Sequence, residues 1–251
     1  MMMHLTGKNA VVTGGTRGIG KAISLALAEK GAQVYAIYAR DRESADKLTE
    51  ETEQHGLKIT TIRGDLAHDE TFYKSVNQIK ESCDKIDIVV HSAASGVHKK
   101  AMDLTDRHLR WTFEVNFFAI HKLLRELISK MGKGGRIIGI TSPGGLRFIP
   151  HYAAIGASKG AMESLFRHYA HELASEEIAV NLVCPGMVMT DAVKAFPDLK
   201  QRLDKTRKYT PTGELTRPDQ VAALVIFLCS EAASQIIGQT LIVDGGKGLM
   251  S

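Results

Sequence analysis

Short apolar runs rich in β-branched residues alternate with amphipathic stretches along the whole chain. The runs are NAVVT (9–13), QVYAIY (33–38), KITTI (58–62), IDIVV (86–90), RIIGI (136–140), IAVNLV (178–183) and TLIVD (240–244). They are too apolar to keep one face in water, which predicts parallel strands covered on both sides. Helix-length segments fill the gaps between them. The predicted class is therefore α/β, a single Rossmann-like doubly wound parallel sheet of about seven strands with helices on both faces. No linker, low-complexity tract or composition break divides the chain, so residues 1–251 read as one domain.

Two helical stretches show their buried faces in the spacing. Over 105–130, Leu109, Phe113, Ile120, Leu123, Leu124 and Leu127 fall at steps of three and four, and Asn116 lies on the same stripe. A polar amide on a core face needs partners, so Asn116 is either a fastener or part of a site. Over 161–173, Met162, Leu165, Phe166, Tyr169 and Leu173 form a second stripe, read as core or subunit interface.

Composition narrows the class. The chain has 251 residues, 44% of them hydrophobic and 24% charged, enough for one sizeable core. Cys83, Cys184 and Cys229 are scattered, with no spacing that suggests disulfides or a metal site. No apolar run approaches the roughly 18 residues of a membrane span, and the polar start does not resemble a secretory leader. A reducing cytoplasm, with no metal site, is the expectation. The net charge of +4 is too mild to imply nucleic acid. Lys194, Lys200, Arg202, Lys205, Arg207 and Lys208 nevertheless cluster against only Asp198 and Asp204, either a solvated helix face or a docking surface for an acidic partner.

The first strand runs into TGGTRGIG (13–20), where Gly14, Gly18 and Gly20 open the first helix. Glycines there let the backbone turn sharply and approach a pyrophosphate, whose charge the helix N-terminus stabilises. A dinucleotide is expected, held by Gly14, Thr16, Arg17, Gly18, Ile19 and Gly20. After the second strand come Ala39 and Arg40, with no acid at the strand end itself. Arg17 and Arg40 converging on a 2′-phosphate favour NADPH over NADH, although Asp41 stands next to them.

Taken together, these pieces resemble the short-chain dehydrogenase/reductase family over nearly the whole length. The matching motifs are TGGTRGIG, GDL (64–66), AAS (93–95), VN (115–116), TS (141–142), the Tyr152/Lys159 segment, PGMVMT (185–190) and GQTLIVDGG (238–246). The resemblance implies that Asp65 and Leu66 hold the adenine, with Ser92, Ala93 and Ala94 beside the cofactor. Pro185, Gly186, Val188 and Thr190 would meet its nicotinamide end. Lys159 would grip the nicotinamide ribose and lower the pKa of the catalytic tyrosine, and Asn116 would hold a water near it. A homotetramer is implied as well. His91 and Ser92 stand where most members carry two asparagines, and His91 reads as a fastener of the turn.

One departure bears on the reaction. Mainstream ketone reductases of the family place their tyrosine four positions before the lysine, where this chain has Ile155; here Tyr152 precedes Lys159 by seven. Seven helical steps come to about 700°, nearly two turns, so both side chains keep one face while the tyrosine moves by about 4.5 Å. Pro150 suits the first turn of that helix. In ketone reduction the proton donor must touch the oxygen on the carbon that takes the hydride. In reduction of an α,β-unsaturated thioester the charge develops on an oxygen several bonds away, which a displaced tyrosine suits.

The spacing resembles the enoyl-acyl-carrier-protein reductase branch. AASGV (93–97), YAAIGASKGAMESL (152–165), TDAVKAFP (190–197) and TPTG (210–213) look most like its NADPH-using type III members of bacterial fatty-acid synthesis. That resemblance implies reduction of the 2,3 double bond of an enoyl thioester on acyl carrier protein. Tyr152 would stabilise the enolate and Lys159 orient the cofactor, with Ser142 and Asn116 completing the site. Residues 187–213 would cover the acyl chain, with Ala192, Val193, Ala195, Phe196 and Leu199 on the apolar side. The alternatives are a 3-oxoacyl- or dienoyl-thioester reductase and, in another class, a non-catalytic NADP-binding regulator.

Overall fold

The computed structural model describes residues 4–190, 193 and 198–250. Seven strands form one parallel sheet in the order β3-β2-β1-β4-β5-β6-β7. They are β1 (Asn9–Thr13), β2 (Gln33–Tyr38), β3 (Ile59–Arg63), β4 (Ile88–His91), β5 (Arg136–Ile140), β6 (Ala179–Pro185) and β7 (Thr240–Val243). Each falls on an apolar run picked out in the sequence, with ends displaced by at most two residues. The helices are α1 (Gly18–Glu29), α2 (Arg42–Gln54), α3 (Asp69–Ser82), α4 (Asp106–Phe113), α5 (Ala119–Leu127), α6 (Ala153–Leu173), α7 (Leu199–Tyr209) and α8 (Pro218–Leu228).

Alternate strand residues feed two separate cores, because successive side chains leave opposite faces of a strand. Val11, Val89, Ile137 and Leu182 pack against Phe72 of α3, Leu123 of α5 and Phe166 of α6. Val12, Val90, Ile138 and Val183 pack against Ile23 and Leu27 of α1 and Val225 of α8. Both faces are dry, as the apolar runs require. The sheet order reverses between β1, which pairs with β2 on one side, and β4 on the other. Ligands of such sheets bind beyond the strand carboxyl ends at that reversal.

Two predicted helices are modified. The stretch 105–130 is not one α-helix: α4 and α5 flank a π-helical turn, Glu114–Phe118, and Asn116 lies in its middle. Helix α6 starts at Ala153 rather than just after Pro150. His151 adopts φ 62°, a left-handed conformation that interrupts any helical run from the proline. Tyr152 therefore stands at the edge of α6 as its cap, with φ −116° and ψ 12°.

Among the described residues, no helix is long and apolar enough to cross a membrane. Lys194, Ala192, Ala195 and Phe196, assigned above to the covering segment, lie outside the described residues.

Candidate active site

A cavity of about 720 Å³ opens beyond the carboxyl ends of β1, β4, β5 and β6. At one end lie Gly14, Thr16, Arg17, Gly18, Ile19 and Gly20 of the glycine turn. Ala39, Arg40, Asp65, Leu66, Ser92, Ala93 and Ala94 continue the wall. Ser142, Tyr152, Lys159, Pro185, Gly186, Val188 and Thr190 close the other end. Every residue expected to touch the cofactor borders this one space. Val115 of the VN motif and Met187 and Arg202 of the expected covering segment also line it, as do Trp111 and Ile149, which sequence reasoning did not single out.

The glycine turn is built to approach other backbone. Gly14 has φ 64°, and a Cβ there would come within 2.9 Å of Ala93 Cα in the loop after β4. A Cβ on Gly18 would meet the Thr190 side chain at 3.1 Å, so the loop after β6 closes directly over the turn. The start of α1 carries no acidic residue that would repel an anion. These features fit a dinucleotide pyrophosphate.

At the end of β2 the charges are arranged in two pairs. Arg40 reaches Asp65 and Arg17 reaches Asp41, each at 3.5 Å, with both arginines largely exposed. Asp41 is already engaged as the cap of α2, accepting from Ser44 N at 3.0 Å and Ser44 Oγ at 2.8 Å. Those bonds hold its carboxyl below the usual range. Its charge is thus tied to its own helix.

His91 fastens the sheet reversal. Thr13 and His91 are register partners across β1 and β4, and Thr13 Oγ1 lies 2.9 Å from His91 Nδ1. The same hydroxyl accepts from Ala93 N at 3.2 Å. Nε2 is fully buried and makes no well-formed hydrogen bond. Burial first, and then the Lys159 charge, push the His91 pKa down to about 3, against a smaller opposing pull from the Asn116 backbone. The ring is neutral throughout the physiological range.

Asn116 is a fastener by its side chain. Its Oδ1 accepts from Ser95 N at 2.8 Å, and its Nδ2 donates to Ser95 O and Ser158 Oγ, both at 2.9 Å. Those bonds occupy the amide, so any water near Lys159 would have to rest on the main chain of the π turn. Asn116 does not border the cavity itself.

Tyr152, Ser142 and Lys159 border the end of the cleft away from the glycine turn. The Tyr152 and Ser142 hydroxyls are hydrogen-bonded, and burial raises the Tyr152 pKa despite that bond. The net shift is upward, against the lowering that the resemblance implies. Lys159 Nζ donates to Ile140 O at 2.7 Å. Ile155, in the position the ketone reductases give to tyrosine, is buried against Gly96, where a Cβ would stand 3.0 Å from Ile155 Cδ1.

The loop carrying Ser142 reaches α6 because glycines face each other. A Cβ on Gly156 would lie 2.5 Å from Gly144 O, and one on Gly160 would lie 3.0 Å from Gly145 O. Each glycine inside the helix costs roughly 0.5–1 kcal/mol relative to alanine, so this close approach is maintained at some expense. Gly144 and Gly145 were not singled out by sequence reasoning, although the SPGG string (142–145) carried the signal.

Fold and cleft together define a dinucleotide-binding α/β protein. The family model described as enoyl-(acyl carrier protein) reductase matches residues 14–247. The chain is 32% identical over 245 residues to general stress protein 39 of Bacillus subtilis, covering 97% of this chain and 85% of that protein. It is 30% identical over 248 residues to 1-cyclohexenylcarbonyl-CoA reductase of Streptomyces collinus, covering 96% and 87%. A short-chain dehydrogenase from Burkholderia cenocepacia, solved in complex with NADP, superposes with a TM-score of 0.90 at 31% identity, covering 98% of this chain and 99% of that one. The chain belongs to the short-chain dehydrogenase/reductase family. It is an oxidoreductase of that family, and a nicotinamide dinucleotide is its cofactor.

Proposed function

We propose that this protein reduces the 2,3 double bond of an enoyl thioester with NADPH. The observation that carries the reading is the position of Tyr152 at the cap of α6, hydrogen-bonded to Ser142, while Ile155 fills the slot a ketone reductase gives to its tyrosine. NADPH is preferred because Arg17 and Arg40 flank the adenosine end and Asp41 is engaged by α2. The cofactor would supply hydride to the β-carbon. Lys159 would hold the nicotinamide ribose, and Val188 and Thr190 the carboxamide. Tyr152, kept protonated by burial, would donate a hydrogen bond to the thioester oxygen as enolate charge develops there, an oxyanion-type role, and a proton taken from solvent by the α-carbon would complete the reduction. Ser142 orients that phenol, and Asn116 keeps the Ser95 loop in place beneath it.

The family model's description and the naming of one relative as a cyclohexenylcarbonyl-CoA reductase support a conjugated thioester substrate. Acyl carrier protein is the proposed carrier, docking on the basic face of α7, in a cytoplasmic homotetramer of fatty-acid synthesis. Reversing Lys205, Arg207 and Lys208 should raise KM for carrier-linked substrate and spare a coenzyme A analogue, and equal effects on both would remove the docking idea.

The direct test follows NADPH absorbance with crotonyl and acetoacetyl thioesters side by side. Oxidation with the first supports the reading. Oxidation only with the second selects the ketone reaction, for which the Ser142–Tyr152 hydrogen bond also provides a donor pair. Binding of NADPH without turnover on a broad panel of thioesters and ketones points to a regulator.

A further inference from the structure

Glu163 is a carboxylate with 3% exposure, one turn beyond Lys159 on α6, and no step above uses it. A charge that deep is costly unless it is paired and hydrogen-bonded. Its Oε1 accepts from Thr141 Oγ1 at 2.6 Å. Lys159 Nζ donates to Ile140 O at 2.7 Å. Ile140 and Thr141 are consecutive residues where β5 ends, and positions 159 and 163 share a helix face. The strand end thus anchors the ammonium and the carboxylate one helical turn apart in the same buried layer, close enough for the carboxylate charge to act on the ammonium without a direct ion pair. Gly145 clears the space, since a Cβ there would stand 2.9 Å from Glu163 Oε1.

The groups that face Lys159 come from three elements. His91, at the end of β4, feels its charge and is neutral, with its pKa near 3. Cys184, on β6, is also neutral, because burial pushes its thiol up to about 12. Asp244 and Arg147 act on Cys184 in the next ring outward. Glu163 opposes the burial that draws Lys159 down to about 8.

We propose that Glu163 is a positioning residue, the fixed counter-charge that keeps Lys159 an ammonium in its dry site and so able to hold the ribose hydroxyls. This rests on the cofactor-gripping role proposed for Lys159 and is independent of which double bond is reduced.

The test is NADPH affinity by fluorescence titration across pH, with the full-length protein and its Glu163→Gln and Lys159→Met variants. For the unaltered protein, affinity should fall as pH rises through about 8. Glu163→Gln should move that fall to lower pH by about one unit, making binding about fivefold weaker near pH 8 and within about twofold of the unaltered protein near pH 6. The cofactor's 2′-phosphate, titrating near about 6, contributes equally to all three proteins. Lys159→Met should show no fall near pH 8. If it does show one, the lysine's role fails. If Lys159→Met is flat while Glu163→Gln coincides with the unaltered protein, the Glu163 proposal is overturned. Should Glu163→Gln not fold, the double variant Thr141→Val/Glu163→Leu removes both members of the hydrogen bond and carries the same comparison.

Discussion

The ring of Tyr152 lies across the backbone of Gly144, so close that a Cβ on the glycine would stand 2.6 Å from Tyr152 Cε1. The displaced tyrosine therefore depends on a missing side chain in the loop before it. Gly144→Ala should tilt the phenol away from its working position, lowering kcat by about 10²-fold, the scale of a misplacement near 1 Å. Overpacking should also destabilise the fold by about 1–3 kcal/mol. Steady-state kinetics and thermal melting check both, with NADPH affinity expected to change little.

Removing the phenol hydroxyl isolates its chemistry from its packing. Tyr152→Phe should lose about 10²- to 10³-fold in kcat with a crotonyl thioester, as for loss of one oxyanion donor. A variant retaining nearly full rate would contradict the enolate-stabilising role.

On the proposed reading, Arg17 and Arg40 recognise the 2′-phosphate and so set cofactor choice. Each hydrogen bond to a charged group is worth about 1.5–3 kcal/mol, so Arg17→Ala and Arg40→Ala should each weaken kcat/KM for NADPH by roughly 10- to 100-fold. Values for NADH should stay nearly constant. Equal losses with both cofactors would show that the arginines do not read the 2′-phosphate.

Buried His91 links stability to pH. Its folded pKa, near 3, lies below the ordinary 6.5, so the unfolded chain takes up a proton in that window while the folded one does not. Stability is then full above pH 6.5 and declines as pH falls toward 3. The slope from this one group is at most about 1.4 kcal/mol per pH unit. His91→Asn should flatten the decline, as read from denaturant midpoints over that range.

The sheet was legible because a strand buried on both faces must be apolar throughout, and seven such runs can be counted in the sequence. The residues that line the cleft were legible for a similar reason: turns such as the one at Gly14, Gly18 and Gly20 are local, and they fall where strands end. The start of α6 was not. Pro150 invites a helix, and only the left-handed turn at His151, imposed by the loop that brings Tyr152 over Gly144, delays it to Ala153. Nor could spacing show that the Asn116 amide is occupied by Ser95 and Ser158, because those partners lie 21 and 42 residues away.

By itself the sequence determined the α/β class, the strand positions, the glycine turn and the Tyr152–Lys159 spacing. These follow from side-chain polarity and backbone permission, which act over a few residues. The tertiary structure decided where the side chains point: Lys159 to the Ile140 carbonyl, Glu163 to Thr141, His91 to Thr13, and the phenol to Ser142. Such directions, and the charges that burial permits, depend on which distant segments are packed together, and no local pattern contains them.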